Sequence, residues 1–156
     1  MVDRNWIKPE EYQEIMARCP VCTVDVIFFN PEKTQVLIGK RNNEPLRGEY
    51  FSIGGRLQKN EELLTAACRQ AKRELGLEIN PAGLVFGGVI NEIFDNSPFP
   101  GINYHTVNLY YGYILPSGQE IKLDSQHSEV VWFHLTKQDE LHPFLQERIN
   151  QLKFKI

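Results

Sequence analysis

Cysteine is scarce in this chain, and long apolar runs are absent. Cys19, Cys22 and Cys68 are an odd number of cysteines, which does not make a disulfide framework and fits a reducing compartment. No apolar stretch approaches the roughly 20 residues that a membrane-spanning helix needs. The charged and interrupted N-terminal segment does not have the pattern of a signal peptide. We therefore expect a cytoplasmic protein with no membrane partner.

An excess of basic residues is also absent. The chain has 17 lysines and arginines against 20 aspartates and glutamates, for a formal charge of −3. Binding to a nucleic-acid backbone needs a basic surface, so we expect no nucleic-acid partner. A small anionic ligand would instead need a few local arginines and a metal ion. The single Cys-x-x-C pair has no second pair beside it and does not define a zinc site.

The composition is that of an ordinary globular protein, and a length of 156 residues predicts a single domain over 1–156. Strands and helices that do not alternate strictly predict an α/β fold, with a mixed sheet between helices. A polar segment with two prolines, 94–103, is long enough to close over a ligand. The predicted strands are 21–29, 35–40, 50–53, 84–93, 104–115 and 128–133, and the predicted helices are 9–18, about 61–75 and one or two within 136–152.

The most informative segment is 55–77, which reads as a glycine turn, a polar loop and a helix. Gly54 and Gly55 predict backbone angles that a Cβ would forbid. Asn60 is the predicted N-cap, and Glu61 with the next residue would lie in the first turn, where the helix dipole favours acids. Gly76 would end the helix. A helix that opens on glycines and carries acids and arginines away from its apolar face suits a metal-bound phosphate.

This segment resembles a Nudix box, with the pattern G-x5-E-x7-R-E-U-x-E-E-x-G-U in which U is apolar. The matching positions are Gly55, Glu61, Arg69, Glu74, Gly76 and Leu77. Gln70 and Arg73 stand where the pattern has glutamate. The GDP-mannose mannosyl hydrolase branch departs in the same way, and residues 39–42, 50–51, 54–59, 123–127 and Trp132 resemble that branch as well. The match covers roughly residues 20–135 and is far more specific than a lone glycine motif.

The resemblance implies a Nudix-like α/β/α sandwich and a magnesium-dependent enzyme, with manganese as a possible substitute. The substrate would be a nucleotide sugar, GDP-mannose or GDP-glucose, cleaved by water at the anomeric carbon. A homodimer is implied, and the 6–16 segment could supply an exchanged contact. The implied roles are metal ligands at Gly54, Glu74 and Gln126, a general base at His127, diphosphate contacts at Arg41 and Arg56, and a base or sugar contact at Asp25.

Plainer interpretations stay open for several of these residues. Asp25 could simply point to a polar face by strand alternation, and Arg41 and Arg56 could be surface cations. Gln70 and Glu74 share a helix face that could be solvated. Arg69 could orient Glu61. The sequence does not decide which tyrosine of 104–113 faces the site.

Two other functions remain possible. A Nudix pyrophosphatase that cuts P–O–P bonds would need the acids that Gln70 and Arg73 replace. A module that binds a nucleotide sugar without turnover would also keep a changed box. The pairing of Gln126 with His127 favours catalysis, because histidine can accept a proton from water near neutral pH.

Overall fold

The computed structural model describes residues 6–156. These residues form three helices and seven strands in the predicted order, one strand more than predicted because the expected 50–53 strand is divided into two. Two short 3₁₀ turns cover Pro81–Gly83 and Leu135–Glu140. No helix in the described part combines the length and the apolar character that crossing a bilayer requires. The elements are α1 (Pro9–Arg18), β1 (Val21–Phe29), β2 (Gln35–Arg41), β3 (Tyr50–Phe51), β4 (Ile53–Arg56), α2 (Leu63–Leu75), β5 (Val85–Phe94), β6 (Tyr104–Ile114), β7 (His127–His134) and α3 (Pro143–Lys153).

The strands form one mixed sheet in the order β3-β2-β1-β6-β5, with β4 paired to β1 and β7 paired to β2. β1 runs parallel to β6 along its whole length, and the other pairs are antiparallel. β1 therefore has three neighbours and lies at the centre of the sheet. The predicted mixed sheet is confirmed.

Two apolar cores lie on opposite faces of this sheet. On one face α2 packs Ala67, Ala71 and Leu75 against Val24 and other residues of β1. On the other face α3 packs its own apolar side chains, Leu145, Ile149 and Leu152, against Ile27 and Phe29. Successive residues of β1 alternate between the two cores, as strand geometry requires. The α/β/α sandwich is therefore present as predicted.

The start of α2 differs from the prediction. Asn60 has a positive φ of 62° and is not the N-cap, and the helix begins at Leu63 after Glu62. The Glu61 carboxylate accepts hydrogen bonds from the backbone N–H of Gln58 and from Arg69, which holds the preceding loop against the side of the helix. The acid is therefore used to fix this loop and not to complement the first helical turn.

The glycines before α2 also serve a different purpose from the predicted one. Gly54 and Gly55 lie in β4 as extended residues, and neither has a positive φ. A Cβ at Gly54 would lie 2.1 Å from Oδ1 of Asp25, and a Cβ at Gly55 would lie 2.8 Å from Nε2 of Gln70. Glycine is therefore required by close approach and not by backbone angles. Gly76, in contrast, ends α2 with φ 67°, as predicted.

Candidate active site

A cavity of about 540 Å³ opens beside the glycines of β4. Its walls come from α1, the loop after β2, and strands β1, β4, β5 and β6, so the centre of the sheet forms its floor. Many of the sequence-predicted site residues meet here. Those that line the cavity are Asp25, Arg41, Gly54, Gly55, Arg56 and Gln126.

Three arginines line the cavity: Arg41, Arg56 and Arg73. Nε of Arg41 donates to the carbonyl of Pro45 at 2.7 Å, which fixes the side chain at the end of β2. Arg56 follows Gly55 and lies with its guanidinium carbon 6.0 Å from the centre of the Tyr12 ring. Guanidinium groups bind phosphate oxygens in a planar fork. The cavity therefore has arginines suited to a phosphate or diphosphate.

Arg69 and Glu61 form the ion pair that the sequence left open. Nε and Nη2 of Arg69 lie 2.5 and 2.9 Å from the two carboxylate oxygens of Glu61. The same Nη2 donates to the backbone carbonyl of Arg56 at 3.1 Å. Hydrogen bonding to Arg69 is the main cause that lowers the pKa of Glu61. This pair therefore holds the end of β4, and with it Arg56, against α2.

Glu74 and Gln70 share a face of α2, but that face is buried and not solvated. Each is 1% exposed. Oε1 of Glu74 lies 3.1 Å from Nη2 of Arg73, while its Oε2 and both amide atoms of Gln70 have no hydrogen-bond partner within the described chain. Burial raises the pKa of Glu74 to about 8, against the opposing effect of Arg73. The interpretation of these two residues as a solvated helix face is therefore wrong.

The unpaired oxygens of Glu74 and Gln70 are the type of ligand that a hard divalent cation binds. Mg²⁺ prefers carboxylate, amide and carbonyl oxygens and keeps part of its own water shell. The buried side chains of Glu74 and Gln70 each supply one such unpaired oxygen, and Gln126 adds an amide at the cavity wall. No group of three or more His, Cys, Asp or Glu residues with a metal-site arrangement occurs in the described residues. The donor set thus fits a cation that shares its coordination with a bound diphosphate.

His127 lies next to Gln126 but does not line the cavity. Its ring packs over Gly39, where a Cβ would meet Cδ2 at 2.6 Å. Its Nδ1 is 3.2 Å from Oδ1 of Asp124 and 3.7 Å from Oε2 of Glu74. Burial lowers the pKa of His127, so the ring is neutral near pH 7. The structure thus brings His127 to Glu74 and does not bring it to the cavity surface.

The carboxylate of Asp25 is buried and hydrogen-bonded. It lies on the α3 side of β1 and accepts hydrogen bonds from Ser52, Asn108 and Arg148 at 2.5, 2.9 and 3.0 Å. Arg148 comes from α3, is fully buried, and also donates to Glu92 of β5. Removal of one partner from a buried ion pair of this kind is strongly destabilising, because it leaves an uncompensated charge. The floor of the cavity is therefore a polar network inside the second core.

Tyr104 is the tyrosine of the 104–113 segment that lines the cavity. Its hydroxyl lies 3.4 Å from the hydroxyl of Tyr12 on α1. Tyr12 also packs edge-on against Phe99 of the loop between β5 and β6, with ring centres 6.3 Å apart. Met16 of α1 lines the same cavity. The first helix and this loop therefore cover one side of the site within a single chain.

Sequence reasoning assigned no role in this site to Arg73, Glu92, Asn108 or Arg148, and it did not place Tyr12 and Met16 at the cavity. Arg73 was visible only as a departure from the box pattern. An acid at position 92 and an asparagine at 108, inside β-prone runs, were signals of the kind that singled out Asp25. Arg148 carried no signal, because it lies 123 residues from its partner Asp25.

A family model described as the NUDIX domain matches residues 21–152 of this chain. The chain therefore belongs to the Nudix family and is a Nudix hydrolase, which confirms the family expected from the sequence. Enzymes of this family use divalent cations such as Mg²⁺ and act on nucleotide-type substrates.

Several known proteins are similar to it. The low-salt glycan biosynthesis protein Agl8 of Haloferax volcanii is 30% identical over 146 residues, which are 94% of this chain and 90% of that protein. The MutT protein from Methanosarcina mazei Go1 has a TM-score of 0.71 at 17% identity, covering 88% of this chain and 96% of that one. The NUDIX domain of Shewanella oneidensis NrtR, complexed with ADP ribose, has a TM-score of 0.69 at 18% identity, covering 95% and 98%. These two solved structures have the same fold as this chain.

Proposed function

We propose that this Nudix hydrolase cleaves a nucleoside-diphosphate sugar, GDP-mannose or GDP-glucose, into free sugar and nucleoside diphosphate. The observation that carries the proposal is the replacement of two box acids. Gln70 is a buried amide, and Arg73 places a cation at the wall of the cavity. A site with few carboxylates and several arginines is better suited to hold a diphosphate as a leaving group than to bind several metal ions for attack at phosphorus.

The similarity to a glycan biosynthesis protein supports a sugar-bearing substrate. The proposed active protein is a cytoplasmic homodimer, as the resemblance to the GDP-mannose mannosyl hydrolases implies. Tyr12 and Met16 of α1 line the cavity, so in the proposed dimer this helix would contribute to a substrate site.

In the proposed reaction, the oxygen of water forms a bond to the anomeric carbon while the bond from that carbon to the diphosphate oxygen breaks. The bond electrons leave with the diphosphate, and the proton of water passes to a base. One displacement by one water inverts the anomeric centre. Arg41, Arg56 and Arg73 would stabilise the negative charge that develops on the leaving oxygens.

A divalent cation held by Glu74, Gln126 and the Gly54 carbonyl would supply further neutralisation of the diphosphate. His127 is the proposed base, as the resemblance implies, and its lowered pKa leaves it neutral and able to accept a proton. Because its ring does not line the cavity, the proton would reach it through a bridging water or after the side chain turns. Asp124 lies 3.2 Å from Nδ1 of His127 and would fix the orientation of the ring.

The test is hydrolysis of GDP-mannose and GDP-glucose in ¹⁸O-labelled water with Mg²⁺, with a parallel reaction in excess EDTA. We expect the label on the released sugar, GDP as the nucleotide product, and loss of activity in EDTA. Label in a nucleotide phosphate, with GMP and a sugar phosphate as products, would instead support the pyrophosphatase. Binding of the nucleotide sugar without any product would support the binding module.

A further inference from the structure

The floor of the cavity contains acceptor oxygens that the protein itself does not pair. Oε2 of Glu92 and Oδ1 of Asn108 are buried and have no hydrogen-bond partner within the described chain. Both residues line the cavity, and they are 2% and 1% exposed. A buried acceptor without a partner costs roughly 1–3 kcal/mol, so native structures rarely keep one without a reason.

The rest of each side chain is held firmly by the surrounding network. Oε1 of Glu92 accepts from Arg148, and Nδ2 of Asn108 donates to Asp25 at 2.9 Å and to Thr23 at 2.8 Å. These bonds fix the two side chains and leave one oxygen of each unused. The unused oxygens are therefore acceptors in fixed positions beneath the cavity, and a ligand could satisfy them by bringing donors.

The unpaired acceptor atoms of the floor make the diphosphate an unsuitable ligand there. Asp25, Glu92 and Arg148 together carry two acids against one cation. Unpaired carboxylate and amide oxygens repel phosphate oxygens, which are themselves acceptors. In the proposed function the phosphates bind to the three arginines that line the cavity, so the floor would face a neutral part of the substrate.

Hydroxyl groups match this floor better than the edge of a purine base. A hydroxyl both donates and accepts. Beside its two acceptors the floor offers one donor, because the hydroxyl of Thr23 accepts from Asn108 while its own proton has no acceptor among the described residues. The donor edge of guanine would satisfy the acceptors alone. A ring with several adjacent hydroxyls uses both.

We propose that Glu92 and Asn108 recognise the hydroxyl groups of the hexose of a nucleotide sugar and so determine which sugar the site accepts. This inference rests on the proposed function, because it places the diphosphate at the arginines. A site built to hydrogen-bond a hydroxyl discriminates strongly against an analogue that lacks it, since its buried acceptor is then left unpaired.

The test measures binding and not turnover. Isothermal titration calorimetry in EDTA compares GDP, GDP-mannose and GDP-mannose analogues that lack single hexose hydroxyls. We expect the wild-type protein to bind at least one deoxy analogue about 10–100-fold more weakly than GDP-mannose, the worth of a hydrogen bond to a charged group. In Glu92→Gln, which keeps an acceptor for Arg148, this penalty should shrink to a few-fold, while the Kd for GDP should stay within about twofold of the wild-type value.

Asn108→Leu removes the second acceptor with little change in volume and should reduce the discrimination against a different or neighbouring hydroxyl. Glu120→Gln, an exposed acid, serves as the control and should leave every ratio unchanged. A deoxy penalty that Glu92→Gln does not alter would overturn the inference. A loss of GDP affinity in Glu92→Gln would also overturn it and would assign the floor to the nucleoside.

The two proposals fail separately in this design. If the wild-type protein hydrolyses no nucleotide sugar with Mg²⁺ but shows the Glu92-dependent penalty in calorimetry, the proposed reaction is wrong and the sugar recognition stands. If it releases free sugar without any such penalty, the reaction stands and the recognition by Glu92 and Asn108 is wrong.

Discussion

At the scale of single residues, Glu74 lies in the most unusual environment. It is buried with one carboxylate oxygen unpaired, and burial raises its pKa to about 8 although Arg73 opposes the shift. A carboxyl that holds its proton more tightly in the folded chain than in the unfolded chain makes stability depend on pH. Function and folding therefore make opposite demands on this side chain, because a metal ligand must be ionised.

The free energy of unfolding of the metal-free protein should fall by about 1–2 kcal/mol between about pH 6.5 and 8. The folded pKa of Glu74 lies above the unfolded value, so the stabilisation is complete at low pH and is lost as pH rises through the folded pKa. Glu92, with a pKa raised to about 7 by burial, adds to this trend. Urea titrations in EDTA measure the slope. Glu74→Gln should flatten it, Glu120→Gln should not, and stability that rises over this range would contradict the expectation.

Arg73→Ala should weaken the binding of GDP about three- to tenfold. Arg73 lines the cavity with its side chain 45% exposed, so solvent screens part of its attraction for phosphate. Calorimetry in EDTA gives the Kd without a contribution from Mg²⁺. Arg18→Ala, which removes an exposed arginine paired with Glu14, is the matched control. Equal affinities in the two variants would show that Arg73 does not bind the phosphates.

His127→Gln should lower kcat by roughly 10²–10⁴-fold, the usual worth of a positioned general base, with little change in the Kd for GDP. The wild-type kcat should rise with pH through one ionisation below the ordinary histidine pKa of about 6.5, because burial lowers the pKa of His127. A full pH–rate profile of both proteins measures this. If the same ionisation persists in the variant, the base lies elsewhere, and His105, which bonds Asn91 away from the cavity, is the next histidine to test.

At the scale of elements, local sequence patterns predicted the bounds of some elements, and long-range contacts determined the rest. α1 and β1 have the predicted bounds, because helix spacing after Pro9 and a β-branched run from Val21 are local signals. The predicted start of α2 was wrong because the contact between Glu61 and Arg69, eight residues apart, fixes the loop before the helix. The register of β6, and so the choice of Tyr104, depends on its parallel pairing with β1. The floor network depends on α3 returning beneath β1, which no local pattern encodes.

Arg69→Ala should lower the free energy of unfolding by about 1–3 kcal/mol. The substitution leaves Glu61, whose side chain is 8% exposed, without its ion pair and removes the hydrogen bond to the carbonyl of Arg56. Urea denaturation at pH 7 measures the loss. Lys72→Ala, which removes a cation from the exposed side of the same helix, is the control and should change stability by less than about 1 kcal/mol. A stability equal to that of the control would show that the pair does not hold the loop.

At the scale of the whole molecule, the cavity has a rigid floor and a lightly attached wall. The floor belongs to β1, β5 and β6, which are paired throughout and carry both cores. The wall is α1, which among the described residues 6–156 makes no extensive contact with another helix or strand and meets the rest of the chain chiefly at Met16 and through Tyr12. Regions with few buried contacts open locally at low free-energy cost.

The hydroxyl contact between Tyr12 and Tyr104 is one of the few contacts that hold α1 against the cavity. It should therefore affect how fast a bound nucleotide leaves. Amide protons of 9–18 should exchange with deuterium much faster than those of β1, and bound GDP-mannose should slow the former and leave the latter unchanged. Tyr12→Phe should speed exchange in α1 and shorten the residence time of the nucleotide. If exchange in α1 is as slow as in β1 without ligand, the helix is a fixed wall and the nucleotide must enter and leave past the 95–103 loop.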